Sequence, residues 1–574
     1  MDKQSHLLEL DKVSVGFPQK GRRMKVVTHG VSLYVDQGEA LGIVGESGSG
    51  KSVSMLATLG LLGNGGRVVE GSIRFYQPGG LKNDSANENI ELQKLSEEQL
   101  NEVRGDDISM IFQEPMTSLN PVMTIGNQVE EMLELHSDCP KEERRGRVLA
   151  MLEKAGLEDT QSLYNKYPHE LSGGMRQRVM IAMAMILKPR LLIADEPTTA
   201  LDVTIQDKIL KLLKQFQEEY GTAIILISHD LGVIRSVCSR AVVMYNGEVV
   251  EQGAVEELFE HPQEEYTKRL LAAALGKGSV LQREHGRQNQ KVLVHAQDFS
   301  VFYDEKRRKG AAESAGKGQA GADGTKQVPP GQKQKETHGR KSALRDKLRS
   351  CISEKYRKEV VKKVNFDLYE GEIVGVVGES GCGKSTLAKA LAGLNPITEG
   401  SVELACEHPQ MVFQDPYASL NPAKTIGWLL TEPLRLHKIG TKEERRQAVC
   451  EMLVKVGLGE EYYDRYPGTL SGGQRQRVAI AMAIMLKRKF ILLDEPVSAL
   501  DVTVQEQILI LLVELQKEFD LTYLFISHDM NVIHRICDRV FVMYQGEIVE
   551  SGDTAQVFEN PQHEYTQKLL SARL

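Results

Sequence analysis

Short apolar runs punctuate the chain: ALGIV at 40–44, LLIA at 191–194 and AIILIS at 223–228, then IVGVV at 373–377, FILL at 490–493 and YLFIS at 523–527. Runs of this length without polar alternation read as strands buried on both faces of a parallel sheet. The first run of each half is followed, after a glycine-rich gap, by a helix-like segment, VSMLATLGLL at 53–62 or TLAKALAGL at 386–394. The second and third runs each end on charged or titratable residues, DE and HD, at the strand end where ligands collect in parallel sheets.

The two halves repeat each other. Ser172 and Ser471, Asp195 and Asp494, His229 and His528, and Tyr266 and Tyr565 are each 299 residues apart. A step that long makes each copy a complete domain with its own core. The expected boundaries are a first domain at 1–274, a linker at 275–292 and a second domain at 293–574. The first copy carries extra residues within 77–104, and the second carries an insertion at about 304–355 that is basic, rich in Gly, Gln and Ala and poor in large apolar residues. That insertion reads chiefly as a solvated disordered loop, with contact to anionic lipid headgroups or another acidic surface as the alternative.

Composition narrows the class. With 574 residues, 41% hydrophobic and 26% charged, the chain is expected to be globular and multidomain. Its longest apolar stretches, such as IAMAMIL at 181–187, are too short to span a bilayer, and the N-terminal residues lack a secretory h-region, so a cytosolic location is expected. The seven cysteines form no CxxC pair, which points away from disulfides and zinc. A net charge of -8 argues against a general nucleic-acid footprint.

The chemistry lies at the strand ends. GESGSGKS at 45–52 and GESGCGKS at 378–385 each match GxxxxGK[ST] between a strand and a helix. Gly45, Gly48 and Gly50, like Gly378, Gly381 and Gly383, let the backbone wrap a phosphate, with Ser47 and Ser380 in the same segments and Thr386 directly after the second. Lys51 and Lys384 reach outer phosphates, and Ser52 and Ser385 ligate magnesium. Asp195 and Asp494 are expected to hold that metal, while Glu196 and Glu495 are placed to polarise a water for in-line attack. Cys382, inside the second loop and close to a helix N-terminus, is expected to have a lowered thiol pKa. LSGGMRQR at 171–178 and LSGGQRQR at 470–477 are either plain N-caps or exposed amides for an anion.

With these parts in this order, the chain resembles the ATP-binding cassette superfamily over nearly all its length. The resemblance implies an α/β fold of two tandem P-loop NTPase domains, each with a RecA-like core, an antiparallel β subdomain and a helical subdomain. It further implies that the LSGGQ segment of one domain closes over the nucleotide of the other. Site one would then join Lys51, Asp195, Glu196 and His229 to Ser471, Gly472 and Gly473, and site two Lys384, Asp494, Glu495 and His528 to Ser172, Gly173 and Gly174. Carried over on the same basis, Phe17 and Tyr303 stack on adenine, Gln113 and Gln414 sense magnesium and link to a permease, His229 and His528 contact the γ-phosphate, and Asp202 and Asp501 communicate across the dimer. Met175 departs from the usual glutamine in the first signature.

The phrases SLNPVMTIG and SLNPAKTIG, with the closing HPQEEYTKRLLAA and NPQHEYTQKLLSA, look like the ATPases of bacterial peptide and nickel importers. That likeness implies ATP and magnesium as cofactors, two membrane permease subunits, an extracytoplasmic binding protein and a position on the cytoplasmic face of the membrane. A soluble tandem cassette acting on ribosomes is the competing class. Relatives that carry an iron-sulfur centre do so through C-terminal cysteines, which neither copy has here.

Overall fold

The computed structural model of the protein describes residues 6–19, 24–77, 89–113, 118–198, 203–274, 291–306, 355–379, 381–498, 500 and 502–571. Most of the basic insertion, the linker at 275–290, Ser380, Asp202 and Asp501 lie outside the described residues.

The first copy runs β1 (Leu8–Pro18), β2 (Met24–Val35), β3 (Ala40–Val44), α1 (Lys51–Thr58), β4 (Arg67–Tyr76), β5 (Asn89–Glu91), α2 (Glu97–Val103), β6 (Ile108–Ile111), α3 (Ile125–His136), α4 (Lys141–Lys154), α5 (Thr160–Tyr164), α6 (Gly173–Met185), β7 (Leu191–Asp195), α7 (Val203–Tyr220), β8 (Ala223–Ile227), α8 (Leu231–Val237), β9 (Arg240–Tyr245), β10 (Glu248–Ala254), α9 (Val255–Glu260) and α10 (Glu265–Ala274). The second copy repeats the plan with β11 (Val292–Lys306), β12 (Lys355–Tyr369), β13 (Ile373–Val377), α11 (Lys384–Leu391), β14 (Glu399–Leu404), β15 (Gln410–Val412), α12 (Pro416–Ser419), α13 (Ile426–Leu436), α14 (Lys442–Lys455), α15 (Gly472–Ile484), β16 (Phe490–Asp494), α16 (Val502–Phe519), β17 (Thr522–Ile526), α17 (Met530–Ile536), β18 (Arg539–Tyr544), β19 (Glu547–Asp553), α18 (Thr554–Glu559) and α19 (Glu564–Ser571).

The main sheets have the same order, β10-β9-β3-β8-β7-β6 and β19-β18-β13-β17-β16-β15, parallel throughout except for the terminal β10 and β19. The apolar runs are their central strands: every residue of β3, β7, β8, β13, β16 and β17 is buried. Alternation then divides the residues between two cores. Leu192 and Ala194 face the helices, joining α3, α4 and α6, while Leu191 and Ile193 join α1 and the antiparallel sheet. That second sheet is β2-β1-β4-β5 in the first copy and β12-β11-β14 in the second. The extra strand β5 comes from the longer 77–104 segment.

The helical layer explains the shared TIG phrase. A Cβ on Gly126 would sit 2.2 Å from the Tyr164 ring, and one on Gly427 would sit 2.5 Å from Tyr463, so only glycine lets the first turn of α3 or α13 lie against that tyrosine. Among the described residues no helix is long and apolar enough to cross a membrane. Gly427 adjoins Trp428, the only tryptophan of the chain. Gly427→Ala should therefore lower the urea midpoint followed by tryptophan fluorescence, at unchanged slope, by an equivalent of roughly 1–3 kcal/mol; an unmoved midpoint would show that the tyrosine yields without cost.

Candidate functional site

Each glycine-rich loop leaves the end of β3 or β13 and turns into α1 or α11. At the first loop residue the backbone is strained in a way only glycine tolerates: Gly45 and Gly378 have φ of 152°, and a Cβ there would lie 2.2 or 2.1 Å from the carbonyl oxygen of Met244 or Met543. Lys51 and Lys384 are buried, and their ammonium groups lie across the loop. Lys51 Nζ donates to the carbonyls of Gly45 at 2.7 Å and Glu46 at 2.8 Å, and Lys384 Nζ to those of Gly378 at 2.7 Å and Glu379 at 2.9 Å. The loop is thereby held as a ring of backbone with α1 or α11 opening from it, a cradle for an anion.

Facing this ring, Ser52 Oγ donates to Asp195 Oδ1 at 3.0 Å, and Ser385 Oγ to Asp494 Oδ1 at 2.9 Å. The aspartates end β7 and β16 and are almost wholly buried. Burial raises their carboxyl pKa against the serine hydrogen bond and the lysine charge, bringing Asp195 to about 6 and moving Asp494 in the same direction. A buried carboxylate beside a hydroxyl is short of positive charge, and the oxygen-only donor set suits a hard divalent cation such as magnesium. A second buried oxygen in the first loop, Ser49 Oγ, has no hydrogen-bond partner.

The residue after each aspartate is held in an unusual backbone conformation. Glu196 and Glu495 both have φ of 48°, the left-handed region that costs a non-glycine residue of order 1 kcal/mol or more. Their N–H groups donate to the carbonyls of Ile227 and Ile526 at 3.0 Å, which fixes the turn. The carboxylates are bracketed by two side chains from other elements. Gln113 Nε2 donates to Glu196 Oε2 and Gln414 Nε2 to Glu495 Oε2, each at 2.9 Å. His229 Nδ1 lies 3.3 Å from Glu196 Oε1, and His528 Nδ1 the same distance from Glu495 Oε2. Burial disfavours the charge on each histidine, but the glutamate hydrogen bond and charge outweigh it and raise both imidazole pKa values. For Glu495, burial is likewise outweighed by His528 and the carboxyl is lowered. The glutamine and histidine, expected at metal and γ-phosphate, are here gathered on the glutamate.

Ser172 caps α6, with its Oγ accepting from Met175 N at 3.3 Å, and Ser471 caps α15, accepting from Gln474 N at 3.3 Å. Both serines and the following glycines, Gly173 and Gly472, are exposed, whereas Gly174 is buried and Gly473 half-buried. Gln474 closes a capping box by accepting from Ser471 N at 3.0 Å; Met175 has no group to do so. Phe17 is half-buried and packs against the core of its antiparallel sheet, while Tyr303 is 41% exposed and its hydroxyl accepts from Asn395 Nδ2 at 2.7 Å. The copies also touch: Thr503, in α16 of the second copy, donates to Glu46 Oε1 at 2.6 Å, and α10 packs against α16.

One expectation is corrected. Cys382 is buried, and burial raises its thiol pKa despite Lys384 and the helix N-terminus. It should alkylate at pH 8 roughly tenfold more slowly than the half-exposed Cys450 when followed by mass spectrometry; equal rates would show the loop opening to solvent.

A duplicated parallel-sheet core, with a phosphate-type loop, a buried Ser–Asp pair and a bracketed glutamate in each copy, defines a pair of nucleotide-hydrolysing cassettes. The comparisons agree. Residues 28–199 and 361–498 match the family described as ABC transporter, and 549–573 match the oligopeptide/dipeptide transporter C-terminal region. The glutathione import ATP-binding protein GsiA of Escherichia coli (strain K12) is 42% identical over 590 residues, covering 99% of this chain and 89% of that protein, and the one from Shigella sonnei (strain Ss046) is 43% identical over the same spans. A solved complex of archaeal ribosomal stalk protein aP1 with the ribosome recycling factor aABCE1 covers 92% of this chain and 87% of that one at 20% identity and a TM-score of 0.55, a likeness of fold. The chain belongs to the ABC transporter family, as an ATPase of the importer type with both cassettes in one polypeptide.

Proposed function

We propose that this protein is the energy-coupling subunit of a bacterial importer for peptides or a related small solute, seated on the cytoplasmic face of the membrane against two permease subunits and served by an extracytoplasmic binding protein. The observation that carries the ATPase mechanism is the glutamate held between a glutamine and a histidine in both copies. Glutathione, the solute in the names of the relatives above, is the first to test, with other peptides and metal chelates such as nickel complexes behind it.

In this reading Lys51 and Lys384 meet the outer phosphates of ATP, and Ser52 with Asp195 and Ser385 with Asp494 hold magnesium, which when bound supplies positive charge to the phosphate oxygens. Glu196 and Glu495 align and polarise the attacking water. His229 and His528 fix the glutamates, with His528 helping to hold the Glu495 carboxyl below its ordinary value, and Gln113 and Gln414 lie between each glutamate and a permease. Ser172, Gly173 and Gly174, with Ser471, Gly472 and Gly473, close over the nucleotide of the opposite copy through the exposed caps of α6 and α15. Closing on ATP and parting after hydrolysis would bias a permease between two states.

Glu196→Gln and Glu495→Gln together should cut steady-state hydrolysis by at least about 100-fold while leaving equilibrium ATP binding in place; unchanged turnover would remove the carboxylates from the reaction. For the partners, the tagged chain should bring down two polytopic permeases from detergent-solubilised host membranes, and the associated binding protein should bind glutathione or short peptides by calorimetry. Ribosomal proteins without permeases would move the chain to the ribosome-acting class.

A further inference from the structure

The tyrosines of the closing phrases, Tyr266 in HPQEEYT and Tyr565 in NPQHEYT, lie far along the chain from the loops, yet each reaches back to one. The hydroxyl oxygen of Tyr266 accepts from Glu46 N at 3.1 Å, across 220 residues, and that of Tyr565 accepts from Glu379 N at 2.9 Å, across 186. These N–H groups belong to the first peptide of each loop, whose carbonyl, on Gly45 or Gly378, is the one held by Lys51 or Lys384 at 2.7 Å. One peptide plane is thus gripped at both ends, by the lysine on its oxygen and by the tyrosine on its nitrogen.

The tyrosine is itself fixed in place. Its ring packs against Tyr245 or Tyr544 at the end of β9 or β18, with centroids 4.2 and 4.3 Å apart, and it is 8% exposed in each copy. The chain ahead of it is tied down by a carboxylate on the neighbouring strand. Glu251 accepts from the N–H of Gln263 at 2.8 Å and Glu264 at 3.1 Å, and Glu550 from those of Gln562 at 2.8 Å and His563 at 3.0 Å. The same four-part linkage, strand carboxylate to tail turn to tyrosine to loop peptide, occurs in both copies. In the first copy the peptide so gripped precedes the side chain that meets Thr503 of the other cassette.

We propose that Tyr266 and Tyr565 are positioning residues for ATP binding: the tail that follows each cassette sets the orientation of the first phosphate-loop peptide, and with it the place of the lysine ammonium. A peptide free to turn over would withdraw its carbonyl from the lysine and aim its N–H into the loop, so loss of the hydroxyl weakens nucleotide binding more than turnover. The inference rests on the reading of Gly45–Ser52 and Gly378–Ser385 as the phosphate-binding loops.

The test uses the full chain and the isosteric change Tyr266→Phe with Tyr565→Phe, which keeps both rings and removes only the hydroxyls. A fluorescent ATP analogue reports affinity, an ATP titration separates KM from kcat, and hydrogen exchange by mass spectrometry follows the peptides covering 41–52 and 374–385. The expected result is an affinity loss and KM rise of about three- to tenfold, kcat within about twofold, faster exchange confined to those peptides and an unchanged melting curve. Unaltered affinity overturns the proposal, as does an affinity loss matched by a general fall in melting temperature, which would make the tyrosines simple packing residues. Lys51→Ala with Lys384→Ala run alongside separates the two levels: if that variant still binds the analogue as the parent does, the reading of the loops fails, whatever the tyrosines do.

Discussion

Everything in each cassette is arranged around a buried lysine ammonium. A charge out of water is tolerable only when its donors are met, and Lys51 and Lys384 meet theirs with carbonyls of the loop they close. The loop must bend back on itself to present those carbonyls, which is why a glycine lies beneath the strand carbonyl of Met244 or Met543. The helix opening from the loop, the aspartate across from its serine and the glutamate one residue further on all take their positions from strands of the same sheet.

The parallel sheet is what brings distant side chains to one edge. β3 and β13 deliver the loops, β7 and β16 the aspartate and glutamate, and β8 and β17 lead into the histidine. Five-residue strands buried on both faces leave little choice of register, because each alternate residue belongs to a different core. Site geometry is therefore inherited from core packing, and the two copies, although different in length, agree to within a tenth of an ångström in their loop, Ser–Asp and Gln–Glu contacts.

Much of this was legible in the amino-acid order, since the apolar runs and the residues at their ends are local signals. Strand, loop and helix follow one another within twenty residues, and a step of 299 between copies marks whole domains. What could not be read depends on backbone conformation or on contacts between remote segments. The left-handed φ of Glu196 and Glu495 has no marker, since glutamate is not a residue that favours it. Gln113 and Glu196 are 83 residues apart, and nothing local says that they meet. Cys382 misled because a helix N-terminus suggested an activated thiol, whereas burial dominates. The tail tyrosines showed only as marks of kinship, their hydroxyls invisible until the chain was folded. The missing capping box at Met175 was visible as a substitution, but its meaning came from the partner contact that Gln474 makes.

The reach of Tyr565 has a consequence for how the protein is made. A ribosome adding about 5–20 residues per second would finish the 186 residues between Glu379 and Tyr565 in roughly 10–40 s. For that interval the second loop exists without its tail contact, while the first, whose tyrosine is synthesised before β11 begins, can already be complete. Each phosphate loop therefore passes through a period in which it is held from one side only, and the first loop leaves that period before the second copy is begun.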